Sequence, residues 1–165
     1  MLTFVPATWL LRAWLLAAGP LALVHCGAKE DATLFVYTRD PSVTKGTNAF
    51  GPKIDARVTV VFDMGHYSAG AVTVESIKLG MFRGDTQILD ILRFVPNAGQ
   101  SSPPMNIAPG TVTELGYSVS AMSLNDEQAK ILCAGPVSIS GTVQQAGGGA
   151  PSRIGATSVS PQGCP

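Results

Sequence analysis

From residue 54 to 63 the chain reads IDARVTVVFD, and its apolar and polar side chains alternate. Ile54, Ala56, Val58, Val60 and Phe62 fall on one side and Asp55, Arg57, Thr59 and Asp63 on the other, with Val61 the single exception. Successive strand residues point to opposite faces, so this pattern predicts a strand with one buried face. The same period recurs downstream. TLFVYT (33–38) is a short run of β-branched and aromatic residues. AVTVESIKLGMF (71–82) changes parity midway, from Val72 and Val74 to Ile77, Leu79 and Met81, which predicts a bulge near Glu75-Ser76. GPVSISGTVQQ (135–145) sets Val137 and Ile139 against Ser138 and Ser140, and RIGATSVSP (153–161) closes the chain. MNIAPGTVTELGYSVSA (105–121) holds one long strand after a Pro-Gly turn, with Val112 and then Leu115, Tyr117 and Val119 on its buried face and a parity slip between them.

Between these runs lie turn formers. RDPSVTKGTNAFGP (39–52), MGHYSAGA (64–71), NAGQSSPP (97–104) and AGGGAPS (146–152) read as loops or flexible tips. RGD at 83–85 is a common tripeptide and reads as a turn. TQILDILRFVP (86–96) fits a helix capped by Asp85 or Thr86, and equally a strand; its β-rich surroundings favour the strand. SLNDEQAKILCAG (123–135) predicts one helical turn capped by Ser123 or Asn125. About seven strands separated by short turns predict an all-β, single antiparallel sandwich over residues 33–165. The IAPG turn leading into a long strand, and the GPVSISGTV strand after it, resemble the later strands of immunoglobulin-like domains in bacterial surface proteins. That resemblance implies an immunoglobulin-like β-sandwich. The cysteines do not occupy the positions of the antibody-domain bridge, and both tryptophans, Trp9 and Trp14, precede the domain.

The first 25 residues follow another rule. Every residue from Ala13 to Val24 is apolar, Gly or Pro, and Arg12 is the only charge before Lys29. A spanning helix needs about 20 apolar residues. This run is too short for that but suits the h-region of a signal peptide, broken by Pro20. Leu23-Val24-His25-Cys26 resembles the lipobox of bacterial lipoproteins, apart from His25 where a small residue is usual. The resemblance implies a signal peptide over 1–25, a lipidated Cys26 at the mature N-terminus and a tether over 26–32. It places the protein in the bacterial cell envelope, held to the outer membrane or the periplasmic face by its lipid. The alternative is ordinary cleavage after Ala28, with Cys26 and Ala28 as the small residues of the site, which releases a soluble secreted module.

Cysteine parity agrees with export. Of Cys26, Cys133 and Cys164, two remain once Cys26 is acylated or removed, and an oxidising compartment favours a Cys133–Cys164 disulfide. Closing a loop of that length contributes roughly 3.5–4 kcal/mol. The residues flanking the hairpin 136–161 bring these two cysteines together at its open end.

Charge excludes some partners. Eleven basic and eleven acidic side chains become ten and eleven when Arg12 leaves with the signal, a net charge of −1. Nothing in that balance attracts nucleic acid or an anionic membrane. Charged residues make up 13% of the chain, so Ser, Thr, Asn, Gln and backbone must cover much of the surface.

Candidate chemistry is sparse. His66 is the one histidine after processing; it sits near Asp63, Tyr67 and Ser68 in a turn, without the framework of a nucleophilic triad, and reads as a solvated loop residue. The adjacent acids Asp126-Glu127 and Glu30-Asp31 do not face one another across a cleft. Asp40, Asp55 and Asp63 do not form a calcium loop, and AGGGA lacks the lysine of a phosphate loop. No catalytic residue, metal or cofactor is expected. What remains is binding or a structural role, toward an envelope protein or polysaccharide or, for a released module, toward carbohydrate or protein. Tyr67 offers a contact, whereas most other aromatics (Phe35, Tyr37, Phe50, Phe82, Phe94 and Tyr117) read as core.

Overall fold

The structure is a computed structural model that describes residues 34–68 and 70–165, with the backbone alone at Ser120 and Ala121. The expected signal segment, the tether and Cys26 lie outside the described residues.

The alternation at 54–63 does what it predicts. β2 (Gly51–Met64) buries Ile54, Ala56, Val58, Val60, Phe62 and also Met64. Val61 is buried too, although it points the other way. β1 (Leu34–Asn48) pairs with β2 antiparallel over nearly its whole length, from Leu34↔Met64 to Asn48↔Gly51. This corrects the loop expected at 39–52. Asp40 and Pro41 are turn formers, but the chain absorbs them as a bulge between Arg39 and Ser42, with Asp40 at φ 50°, and returns to extended backbone. The true turn is the tip Asn48–Gly51, where Gly51 has φ 116°, a value that favours glycine.

β3 (Val72–Arg83) shows the bulge expected at Glu75-Ser76: its pairing with β8 (Val137–Gln145) slips between Val74 and Ser76. The ambiguous stretch 86–96 is neither a helix nor one strand. β4 (Thr86–Ile88) pairs with β3, the chain crosses over, and β5 (Val95–Pro96) pairs with β7 (Val112–Ser123). Ile88, Leu89 and Leu92 are buried in the crossing, so the spacing that mimicked a helix is the core-facing side of a connection between two β layers. β6 (Met105–Ile107) pairs with the start of β3 and is separate from β7. In β7 the inward side chains are Leu115, Tyr117 and Val119. Val112 points outward and is exposed, a second correction: the alternation is unbroken from 112 to 119, and the slip comes later, opposite Ile54 and Ala56.

The one helix among the described residues, α1 (Asp126–Cys133), is eight residues long, more than the single turn expected. Asn125 caps it; its side chain accepts from the Gln128 amide while the Gln128 side chain accepts from the Asn125 amide, a reciprocal capping box. Leu132 is fully buried beneath it.

β8 and β9 (Ser152–Val159) form the expected antiparallel hairpin. Cys133 and Cys164 are joined outside its ends, with Sγ atoms 1.97 Å apart. The tail is further held by β1: Lys45 donates to the Gln162 carbonyl at 2.8 Å and Gln162 to that of Val43 at 2.9 Å.

The strands run β4-β3-β8-β9-β1-β2-β7-β5, with β6 also on β3, in one curled all-β sheet. Its two halves, β1-β2-β7-β5 and β4-β3-β8-β9, send their inward side chains into one apolar cluster that includes Phe62, Val60, Met81, Ile139 and Val143. Burying each such side chain stabilises the fold by roughly 1.5–3 kcal/mol. The sheet is mixed, not purely antiparallel: β1 and β9 run parallel where the halves meet, at Tyr37↔Gly155. Gly155 permits the approach, since a Cβ there would lie 3.2 Å from that of Tyr37. Thr38 completes the seam. Its buried hydroxyl lies 3.1 Å from the Ile139 carbonyl and 3.2 Å from that of Gly155, and it accepts from the Thr157 amide at 3.1 Å. The Thr157 hydroxyl donates to the Thr38 carbonyl at 2.8 Å.

Candidate functional site

Because β8 alternates strictly, the side chains opposite its buried Val137, Ile139 and Val143 form a row on the outer surface: Ser138, Ser140 and Thr142. The neighbouring strands extend these rows. Phe82 of β3 pairs with Ser138, Gly80 with Ser140 and Lys78 with Thr142, while Arg153 of β9 pairs with Thr142 from the other side. Small residues in the middle and larger ones at the ends leave an open groove of about 450 Å³. Phe82, Asp85, Ser138, Ser140, Thr142 and Arg153 line it, with Gly84, Gly141, Ile154 and Ala156.

Each wall has a local cause. The Phe82 ring and the Gln87 amide both lean over Gly80, whose missing Cβ would stand 3.2 Å from each. Asp85 is placed by the two-residue turn Gly84-Asp85 between β3 and β4, with Gly84 at φ 58°. That turn is fixed from behind, because Arg83 Nη2 donates to the carbonyls of Leu132 (3.2 Å) and Gly135 (3.0 Å) at the end of α1. The RGD tripeptide is thus a turn whose arginine is spent on the helix. At Gly141 a Cβ would drive into the Lys78 carbonyl, so the groove floor requires glycine there.

The groove is chemically open. Ser140 donates its proton to the Ile154 carbonyl at 2.7 Å. Among the described residues, the Ser138 and Thr142 hydroxyls, the Asp85 carboxylate and the Arg153 guanidinium have no side-chain partner. Hydroxyl donors and acceptors, one anion, one cation and an aromatic ring therefore line one solvent-accessible surface.

The outer surface of the other half is different. There the cross-strand rows are Phe35–Asp63–Val112 and Tyr37–Val61–Glu114. Phe35 and Val112 are each 60% exposed and Tyr37 39%. The expectation that Phe35 and Tyr37 belong to the core is corrected: both occupy the outward parity of β1, opposite the buried Val36. Arg39 bridges Asp40 (3.0 Å) and Glu114 (2.8 Å) beside them. The charge of Glu114, then the Asp40 hydrogen bond, raises the Arg39 pKa. Solvent exposure makes such a pair a small contributor to stability. Beneath this surface Tyr117 is buried, and desolvation raises its pKa.

The residues singled out from sequence are dispersed. Cys133 and Cys164 form the staple, and Cys26 lies outside the described residues. His66 packs against Gly110 in the turn after β2, and Tyr67 beside it is 86% exposed. Phe50, at the β1–β2 tip, is 89% exposed. Among the described residues no three His, Cys, Asp or Glu side chains gather to hold a metal, and no helix is long and apolar enough to cross a membrane. Sequence reasoning missed the groove, although its signal was present: the outward positions of β8 carry small hydroxyls where solubility alone would be served by charges. Comparison with protein-family models, with curated protein sequences and with solved structures returned no match to this chain.

Proposed function

We propose that this protein is an envelope lipoprotein that binds a polysaccharide. In this reading residues 1–25 are a signal peptide, Cys26 carries the lipid, 26–32 are a tether, and 33–165 form an immunoglobulin-like sandwich whose role is binding and not turnover. The strand order supports that fold: β1-β2-β7-β5 follows the A-B-E-D order of such domains, and β3-β8-β9 their C-F-G order. The Cys133–Cys164 bridge supports an oxidising compartment.

The observation that carries the ligand class is the groove on β3, β8 and β9. A saccharide presents hydroxyls that both donate and accept, and apolar C–H faces. Ser138, Thr142, Asp85 and Arg153 match the first and the Phe82 ring the second. A carboxylate and a guanidinium each form charge-assisted hydrogen bonds to hydroxyl groups.

The test has two parts. Mass spectrometry of the protein extracted from its native membrane should find an acylated Cys26 as the N-terminus; a free Lys29 N-terminus identifies the secreted form instead. Calorimetric titration with soluble fragments of envelope polysaccharide should detect binding that Phe82→Ala weakens about tenfold, or about 1.4 kcal/mol. Binding that is absent, or indifferent to Phe82→Ala, refutes the ligand assignment.

A further inference from the structure

We infer that the apolar strip of β1 and β7 is a membrane contact, which seats the domain on the bilayer with its saccharide groove turned away. This rests on the lipid anchor proposed above. The strip lies where the chain enters the domain. Phe35 is nine residues beyond Cys26, so at 3.3–3.6 Å per residue it stands within about 32 Å of the anchored sulfur in every conformation. Phe35 and Val112 share a cross-strand row through Asp63, Tyr37 stands in the next row, and Tyr67 occupies the adjoining turn. That turn is tied to the same end by the Gly110 amide, which donates to the Met64 carbonyl at 3.0 Å.

The apolar residues are unevenly placed. Of the seven large hydrophobic side chains exposed among the described residues, these four occupy the end nearest the anchor, while Val95 on β5 and Ile131 on α1 lie away from it. Phe50 lies at the opposite tip, just past the end of β1, whose Asn48 is 13 residues beyond Phe35, or about 40 Å along the strand. Aromatic side chains favour the interfacial zone of a bilayer. Three of them and one valine bind weakly alone, but a lipid anchor holds them at high effective concentration, where a weak contact suffices to fix orientation. The row contains the Asp63 carboxylate and phosphatidylcholine carries no net charge, so the contact is apolar and not electrostatic, and added salt should leave it in place.

The sequence provides a clean reporter. Both tryptophans, Trp9 and Trp14, belong to the signal segment, so the processed chain contains none. Phe35→Trp, Val112→Trp and Phe50→Trp are each made in the full chain, and the processed lipoprotein is reconstituted in phosphatidylcholine vesicles with and without brominated acyl chains. The first two should shift to the blue and lose most of their emission to brominated lipid; the Phe50→Trp protein should do neither. Mass spectrometry of the same samples reports acylation of Cys26. An acylated protein whose Phe35→Trp and Val112→Trp emission ignores brominated lipid overturns the contact and leaves the anchor standing. An unacylated protein removes both. A blue shift that follows protein concentration without vesicles assigns the strip to a second copy of the chain and also overturns the proposal.

Discussion

Along β8 the outward positions are Ser138, Ser140 and Thr142; along β1 they are Phe35, Tyr37 and Arg39. The inward positions of the same strands are interchangeable in kind: Val137, Ile139 and Val143 in one, Val36 and Val43 in the other. Both strands thus contribute to the core in one way and to the surface in two. Inward side chains are constrained by volume and burial, whereas outward ones are free to be chosen for what they meet. A small hydroxyl row leaves a groove, and an aromatic row leaves an apolar strip that water does not favour.

Glycines separate the two surfaces most sharply. Gly141→Ala in the groove floor brings its methyl against the Lys78 backbone, which cannot swing aside; it should cost about 3 kcal/mol or more and close the groove. Gly116→Ala on the aromatic side crowds the end of the Asn97 side chain, which can turn away while Gln100 keeps its bond from the Gly116 amide, and should cost less than about 1 kcal/mol. Urea unfolding of both variants measures the difference, and equal costs would break the contrast.

Next comes the seam that joins the surfaces. Thr38→Val strands the Thr157 amide and should lower stability by about 1–3 kcal/mol. Hydrogen exchange should quicken on both sides together, whereas a change confined to β1 would mean that the halves are not coupled there.

The smallest effect concerns Tyr117. Its phenol is neutral in both states well below pH 10. Above that the unfolded chain releases its proton while the folded one holds it, so the unfolded state binds fewer protons and stability falls as pH rises. Thermal unfolding should decline from pH 10 upward, and Tyr117→Phe should remove that residue's share of the decline.

How much of this was legible depends on how local each signal is. Ile54 to Phe62, the Glu75 bulge, the 136–161 hairpin and the pairing of Cys133 with Cys164 rest on near neighbours or on parity, and sequence carries them. The β1 extension through Asp40-Pro41 was hidden because turn formers can also make a bulge once β2 supplies the partner. Residues 86–96 were opaque because a chain that changes sheets buries Ile88 and Leu92 at a spacing that either a helix or a strand would explain. Val112 is deceptive because an apolar residue at the head of a strand reads as inward, and only its pairing with Asp63 decides otherwise. The groove needs three strands side by side, so no single stretch could announce it, though the Ser-x-Ser-x-Thr pattern held its middle row.

The parallel pairing of β1 with β9 has a mechanical consequence. If the chain is tethered through the start of β1 and its ligand grips β8 and β9, tension between cell and ligand crosses the Thr38–Thr157 joint. Strands loaded lengthwise past one another strain their bonds at once, while strands peeled from one end break them singly. A joint loaded along its strands is a shear joint, and the parallel pairing gives this fold one where its two layers meet.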